Sequence, residues 1–369
     1  MQKLRIARHL ILIATLCLTV YGLLILYSAS QPFGPHMLLF KKQCIWLVFA
    51  SIGLGAISFL RLEKLSHFAV YIGAISLILL VLVLIPGIGL SVNGSRRWIS
   101  LGGLRVQPSE FVKIGFVIFF AHYLSQLHDI SHWFKGFVRP LIIIFVFAFL
   151  MLLEPDFGTA FLFGWIGFLC LFLRGARLKF IIPTCVCALL LFSIAVYLNP
   201  VRLRRITAFL DAEANRLSGA YQLWQSLIGF SAGGFSGLGL GQGRQQYFFL
   251  PEAHTDFIFS VLAEELGLIH VLIVLLLFAI IAFYGLKIVK STANPFLFFT
   301  GVGALNFLIF QSFFNMGVVT GLLPTKGLAL PFLSYGGSNL LTSYCCIGIL
   351  VNLSRTQEDA QLDVKGQSL

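Results

Sequence analysis

Residues 266–286 read LGLIHVLIVLLLFAIIAFYGL, 21 consecutive positions with one histidine and no formal charge. The hydrocarbon core of a bilayer is roughly 30 Å thick and takes about 20 helical residues to cross, so this run spans it unaided. Residues 256–265, just before it, are then free to extend the helix outward or to line a cavity. The rest of the chain is of the same kind. Hydrophobic residues make up 58% and charged residues 11% of the 369 positions, and the mean hydropathy is strongly positive, outside the range of soluble domains. Backbone polar groups inside lipid must be satisfied within the segment itself, which selects helices.

The expected fold is therefore an all-α polytopic membrane protein of about ten transmembrane helices. The spans fall at 10–29, 42–60, 67–86, 109–126, 139–153, 158–174, 179–198, 258–286, 296–318 and 331–353. Residues 1–355 read as a single transmembrane domain. A large extracytoplasmic loop, 199–257, lies between helices 7 and 8, and 356–369 form a short, polar and mobile cytoplasmic tail.

Orientation follows from Lys and Arg in the short loops. With the N-terminus inside, the cytoplasmic segments hold Lys3, Arg5, Arg8, Arg61, Lys64, Lys135, Arg139, Arg174, Arg177, Lys179, Lys287, Lys290, Arg355 and Lys365. The short outer loops hold fewer: Lys41, Lys42, Arg96, Arg97, Arg105 and Lys326. Both termini are thus expected in the cytoplasm, and the net charge of +12 is explained without a nucleic-acid partner. The first run ends in YSASQ, which offers small residues at the spacing of a signal-peptide cleavage site, but it is long enough to span and is read as a signal anchor. The seven cysteines lie in or beside apolar runs with no metal-ligand spacing and read as small core residues.

The polar chemistry gathers on the outer side in four places. NGSRRWISLGGLRVQPSEFVKIGF (93–116) places Arg96, Arg97 and Trp98 outside; Pro108 starts a helix whose Glu110 and Lys113, three residues apart, share one face just inside the bilayer. They form either a structural ion pair or the lining of a polar cavity. LLEPDFGTA (152–160) is a turn in which Asp156 caps the next helix or contacts substrate. In 320–341, TGLLPTKGLALPFLSYGGSNLL, Lys326 is the one charge, and Ser334, Tyr335 and the residues after it make either a tight packing site or, with Lys326, an anion contact.

The fourth is the loop itself. Tyr221, Trp224, Leu227 and Ile228 recur at helical spacing and suggest an amphipathic helix on the outer interface. GFSGLGLGQGRQQ (234–246) lacks the strand and the lysine tail of nucleotide loops and reads as a flexible hinge over a site. PEAHTD (251–256) closes the loop, and Asp256, Ser260 and Glu264 would form a polar stripe if helical. Asp256 has three readings: a helix cap, a metal ligand with Glu252 and His254 on an extended strand, or a catalytic carboxylate. His254 reads as its hydrogen-bonding neighbour.

Taken together, YSAS, GSRRWISLGGLRVQPSEFVK, EPDFGTA, YQLWQSLI, LPEAHTDFIFSVLAEELG and GLLPTKGLALPFLSYGGS cover nearly the whole chain in order. In this the chain resembles the SEDS family (shape, elongation, division and sporulation), and the wording of the last two motifs is most like its division branch. The resemblance implies a peptidoglycan glycosyltransferase that polymerises lipid II at the outer face of the inner membrane, enriched at the septum. It also implies that Asp256 is the essential acid, acting as general base on the acceptor sugar hydroxyl. The cations facing the leaving diphosphate are then sought among Arg96, Arg97, Arg202, Arg204, Arg205, Arg244 and Lys326, with a divalent ion (Mg or Mn) as a supplement. The implied partners are a class B penicillin-binding protein transpeptidase and other division proteins. This chain has Gln246 and Phe248 where division members often carry a basic residue and an acid, and Arg244 would replace them if the segment is extended. A lipid II flippase and a non-catalytic scaffold are the rival functions.

Overall fold

The computed structural model describes residues 2–31, 37–92, 95–101, 104–130, 132–198, 200–325 and 327–366. Helices lie over all ten expected spans: α1 (Gln2–Ala29), α2 (Leu38–Phe59), α3 (Leu62–Leu84), α4 (Pro108–Ser125), α5 (Arg139–Leu153), α6 (Phe157–Arg174), α7 (Leu178–Tyr197), α10 (Ile258–Lys290), α11 (Pro295–Val319) and α12 (Gly337–Gly366). Two more, α8 (Pro200–Leu210) and α9 (Tyr221–Gly233), fall within the loop. Among the described residues seven helical segments are long and apolar enough to cross a membrane, those of α1, α2, α3, α5, α6, α10 and α11. The apolar part of α7 is shorter, and α4 and α12 carry more polar residues. The protein is a multi-pass membrane protein.

The core forms where α12 packs along α2 and α1, α10 along α1 and α11, and α4 between α3 and α11. In contrast, α7 leaves Leu189, Leu190 and Leu191 exposed. Both chain ends described meet at one end of the bundle: Ser354 Oγ donates to the Leu4 carbonyl at 3.1 Å, and Arg8 Nη1 donates to Glu358 Oε2 at 2.9 Å. The tail expected to be mobile from 356 is instead a continuation of α12 to Gly366, held by that ion pair. Moreover, α12 starts at Gly337, six positions later than expected from 331, because residues 331–335 form turns.

The fold is not purely helical. β1 (Leu90–Val92), β2 (Ser95–Leu101) and β3 (Leu104–Val106) form an antiparallel sheet in that order, with Leu90 opposite Trp98 and Ser100 opposite Arg105. Three- and seven-residue strands are too short to stand out beside 20-residue apolar runs, and SRRWISL lacks a clean period-2 alternation.

The opening stretch contains a break that organises the segments around it. At Gly267 φ is 78° and ψ −177°, so α10 is two helices joined at a break. The second, from Leu268, carries the long apolar run; the first, 258–266, precedes it. Breaking the helix frees the Glu264 and Glu265 carbonyls and the Leu268 and Ile269 amides, which would have paired with one another. The glycine-rich segment takes all four: Leu238 N donates to Glu264 O (3.0 Å) and Gly239 N to Glu265 O (2.9 Å), while Leu268 N donates to Gly234 O (2.9 Å) and Ile269 N to Phe235 O (3.3 Å). Carboxylates complete the clamp, with Glu264 accepting from Arg244 N (2.9 Å) and Gln245 N (3.1 Å), and Glu265 from Ser28 Oγ (2.7 Å) and Gly241 N (3.1 Å). The segment expected to be a flexible hinge is therefore pinned into the break.

That backbone conformation belongs to glycine almost exclusively, at a cost of about 1–3 kcal/mol for other residues. A Cβ at 267 would also collide with the Gly237 amide nitrogen. Gly267→Ala is expected to release the 234–246 segment, read as a lowered unfolding midpoint and new protease cleavage there; an unchanged digestion pattern would refute the clamp.

Candidate active site

The turn PEAHTD stands at the start of α10, at the end of the bundle opposite the chain termini, and Arg97, Asp156 and the 327–335 segment gather around it. Residues 251–257 are a run of turns, and the helix begins after Phe257, whose side chain and neighbours supply no cap. Asp256 is therefore not a helix cap. Nor does it extend a helical stripe: Ser260 Oγ instead donates to the Ser226 carbonyl at 2.9 Å, fixing α9, and Glu264 holds the glycine segment. The strand on which Glu252, His254 and Asp256 would face one way is absent, and among the described residues no three His, Cys, Asp or Glu side chains are grouped to hold a metal ion.

Two segments hold the turn. Asn315 Nδ2, in α11, donates to the Asp256 carbonyl at 2.7 Å and to the Leu328 carbonyl at 2.6 Å, tying the two chains together. Ser334 Oγ donates to the Thr255 carbonyl (2.6 Å) and accepts from Leu330 N (2.7 Å); Tyr335 N donates to the His254 carbonyl (2.9 Å). Ser334 and Tyr335 are thus the frame of the turn. The fit is close enough that a Cβ at Gly327 would lie 2.6 Å from Asp256 Oδ2. From α2, Gln43 receives Gly336 N at 3.1 Å and donates to Ser334 O at 3.2 Å.

The β-sheet approaches from the other side. Arg97 points inward from β2: its Nε donates to the Glu154 carbonyl at 2.8 Å, its Nη2 to the Pro155 carbonyl at 2.6 Å, and its Nη1 stands 3.9 Å from Asp156 Oδ2. Asp156 caps α6, accepting from Thr159 N (3.1 Å) and Thr159 Oγ1 (3.0 Å). Strand alternation turns Arg96 outward, where it is exposed, and leaves Trp98 half-buried.

These neighbours set the protonation of the acids. Asp256 is half-buried. Burial first, then the Glu252 and Asp156 carboxylates, push its pKa up to about 7, and Arg97 opposes them. Glu154 is fully buried with neither carboxylate oxygen hydrogen-bonded. Burial and then Asp156 raise it to about 8, again against Arg97, so it is largely neutral at pH 7. Burial lowers His254, with Glu252 acting against the shift, which keeps the imidazole uncharged beside Asp256 near neutral pH.

Three expected site residues stand elsewhere. Glu110 and Lys113 are 6% and 2% exposed and pair at 2.7 Å, Lys113 Nζ also donating to Gln311 Oε1 at 2.8 Å. Their effect on the site runs through Gln311, whose Nε2 donates to the Ala329 carbonyl (2.7 Å) and to Asn339 Oδ1 (3.0 Å). Arg244 is exposed and precedes a π-helical turn, Gln245–Phe249, while Gln246 is buried with its Oε1 3.1 Å from Ser28 Oγ. The segment is not extended, so Arg244 does not take the place of Gln246. Lys326 and the side chains of Arg202, Arg205 and Phe248 lie outside the described residues; Arg204 is exposed on α8.

The amphipathic helix is α9, but its buried face is Leu223, Ser226, Gly229 and Gly233 rather than the aromatic one; Tyr221 and Trp224 are half-buried and Ile228 is exposed. Gln311, Asn315, Gln43 and Arg105 are the residues that sequence reasoning passed over. The first two sit four apart in a largely apolar span, a placement that marks one polar helix face. Arg105 lowers the pKa of Tyr335, against the larger rise from burial.

The chain is similar to known proteins along nearly its whole length. The family model described as "Cell cycle protein", FtsW/RodA/SpoVE, matches residues 8–359. A protein from Trichlorobacter lovleyi called "Probable peptidoglycan glycosyltransferase FtsW" is 41% identical over 364 residues, covering 96% of this chain and 95% of the relative. The stage V sporulation protein E of Bacillus subtilis is 38% identical over 355 residues, covering 94% and 96%. Among solved structures, one on the coordination of polymerization and crosslinking by a peptidoglycan synthase complex matches with TM-score 0.80 and 27% identity, over 94% of this chain and 97% of that one. The crystal structure of the rod shape determining protein RodA of Thermus thermophilus matches with TM-score 0.70 and 26% identity, over 94% and 96%. With the motifs, the helical bundle and the matched length in agreement, the chain belongs to the FtsW/RodA/SpoVE family.

Proposed function

We propose that this protein is a peptidoglycan glycosyltransferase that polymerises lipid II into glycan strands at the outer face of the inner membrane, in septal wall synthesis. The observation that carries this reading is Asp256, a carboxylate with a pKa near 7, half-open to the outside and set between Arg97 and the 327–335 segment. A base whose pKa lies near the working pH combines a useful deprotonated fraction with proton affinity. The substrate has a prenyl tail in lipid and a diphospho-sugar in water, so its reacting carbon sits at the interface where this turn stands.

In the step, Asp256 takes the proton from the acceptor sugar hydroxyl while that oxygen forms its bond to the anomeric carbon of the donor. The bond from that carbon to the diphosphate breaks, the electron pair leaves with the diphosphate, and one displacement inverts the configuration. Arg97 is the cation fixed beside Asp256, and Arg96, Arg105 and Arg244 are exposed. Lys326, adjacent in sequence to Gly327, is a further candidate for the diphosphate. Glu110, Lys113, Ser334, Tyr335 and His254 act as positioning residues around the turn, and Trp98 as an apolar contact for substrate. A divalent ion (Mg or Mn) held chiefly by the diphosphate would add positive charge at the leaving group.

Both termini lie in the cytoplasm in this orientation, and lipid II is the substrate on both sides of the reaction. A class B penicillin-binding protein is the partner that supplies crosslinking, with other division proteins around it. A flippase would need a polar path through the bundle, whereas the buried Glu110–Lys113 pair is closed by Gln311. Purified protein supplied with lipid II in detergent, with and without the cognate transpeptidase, separates these readings because a flippase has nothing to transport there. Glycan polymer is expected; its absence even with the transpeptidase would favour transport or a scaffold.

A further inference from the structure

The break at Gly267 parts the turn that carries Asp256 from the long apolar half of α10. A second connection bypasses it, through the segment LPFLSY (330–335). Leu333 N donates to the Leu330 carbonyl at 3.3 Å and closes a four-residue turn with Pro331 second and Phe332 third. Phe332 has φ 69°. Proline followed by a positive φ is the type II pattern, whose third position ordinarily takes glycine or asparagine because a Cβ is crowded there. A bulky aromatic in that conformation is an outlier, so its side chain must supply something that glycine cannot.

The ring supplies an anchor. It is 2% exposed, with Phe278 of α10 at 6.3 Å and Tyr344 of α12 at 5.9 Å between ring centroids. Phe278 belongs to the half of α10 beyond the break, and the Tyr344 hydroxyl is itself 2.9 Å from Thr19 Oγ1 of α1. The backbone is seated as tightly as the ring: a Cβ at Gly22 of α1 would collide with the Phe332 carbonyl and lie 2.7 Å from Leu333 Cα. Three long helices thus meet at one residue. Two positions on, Ser334 and Tyr335 make the hydrogen bonds that hold the Thr255 and His254 carbonyls.

We propose that Phe332 is a positioning residue for glycosyl transfer: its buried ring ties the frame of the Asp256 turn to α12 and to the long half of α10, and so fixes the carboxylate although its own helix is broken. The proposal rests on the glycosyltransferase reading given above. Phe332 acts only through Ser334 and Tyr335, not on the reacting atoms.

The test supplies lipid II to the purified full chain with its cognate transpeptidase, as wild type, Phe332→Gly and Phe332→Leu. By backbone preference alone glycine is the better residue at this φ, so a purely local view predicts a tolerated change. The positioning role predicts the opposite. Misplacing a reacting group by about 1 Å costs about 10²-fold in rate, so kcat per folded enzyme should fall by about that factor in Phe332→Gly, with KM little changed. The raised pKa of Asp256 rests first on burial, then on Glu252 and Asp156 against Arg97. A freed turn admits water to the carboxylate, and the acid limb of kcat/KM should move below about 7, toward 3.8. Phe332→Leu keeps an apolar side chain in the pocket and should lie between the two in rate and in limb, which decides the matter if the glycine variant does not fold. Folded variants with the wild-type kcat and the wild-type limb, whatever their unfolding temperature, would show that Phe332 only packs and would overturn the proposal. Wild type that makes no polymer would instead overturn the glycosyltransferase reading itself.

Discussion

Asp256→Asn is expected to abolish glycan polymer formation from lipid II while leaving the fold intact. General-base assistance is worth about 10²–10⁴-fold, and the amide has no comparable affinity for the sugar proton. Two readouts separate this from a folding defect. Burial, Glu252 and Asp156 raise the folded pKa of Asp256 from 3.8 to about 7, so the fold favours the protonated form. Its contribution to stability is present at low pH and is lost as pH rises between those values. A neutral isostere escapes that loss, and at pH 8 the Asn variant should unfold at the same temperature as wild type or higher. Polymer yield at wild-type level from the variant would remove Asp256 from the chemistry. A lowered unfolding midpoint would point instead to a structural role.

The second large effect is expected at Lys113, far from the substrate. Lys113→Met leaves Glu110 buried without its cation, and breaking a buried pair from one side costs about 3–5 kcal/mol. The Glu110 Oε2 atom already lacks a hydrogen-bond partner, so no second donor takes over. Gln311 also loses an anchor, and with it the Ala329 carbonyl and Asn339, which hold the segment that backs Asp256. Both thermal stability and polymerisation should therefore fall. Removing both charges, with Glu110→Gln added, is expected to restore most of the stability, because a neutral pair has no uncompensated charge to bury. A single variant as stable as wild type would show that the pair does not hold the outer end together.

What the sequence made legible follows from which interactions are local. The spans were visible because lipid imposes one simple demand, about 20 apolar residues, on every crossing. The length of the 266–286 run even separated the spanning part of α10 from its outward extension, and the structure places the break at Gly267 between them. The Asp156 cap was legible for the same reason, since acceptor and donor are three residues apart. By contrast, Asp256 is framed by Asn315, Gly327 and Ser334 and faced by Arg97, contacts that cross 59 to 159 positions of chain. No periodicity records such contacts; only polar residues in an apolar helix, as at Gln311 and Asn315, leave a trace. The glycine segment was misjudged because glycine permits both mobility and close backbone approach. Its true partner, the set of four groups freed at Gly267, exists only once α10 has broken.

The pH dependence of kcat/KM for polymer formation tests the assignment of Asp256 most directly, since it reports the ionisation of the free enzyme's base. A base works deprotonated, so the rate should rise with pH through a single ionisation near the raised value of about 7. Glu252→Gln removes a carboxylate that raises that value and should move the limb to lower pH. An acid limb at the ordinary carboxylate position near 3.8, or one that Glu252→Gln leaves in place, would contradict the role given to Asp256.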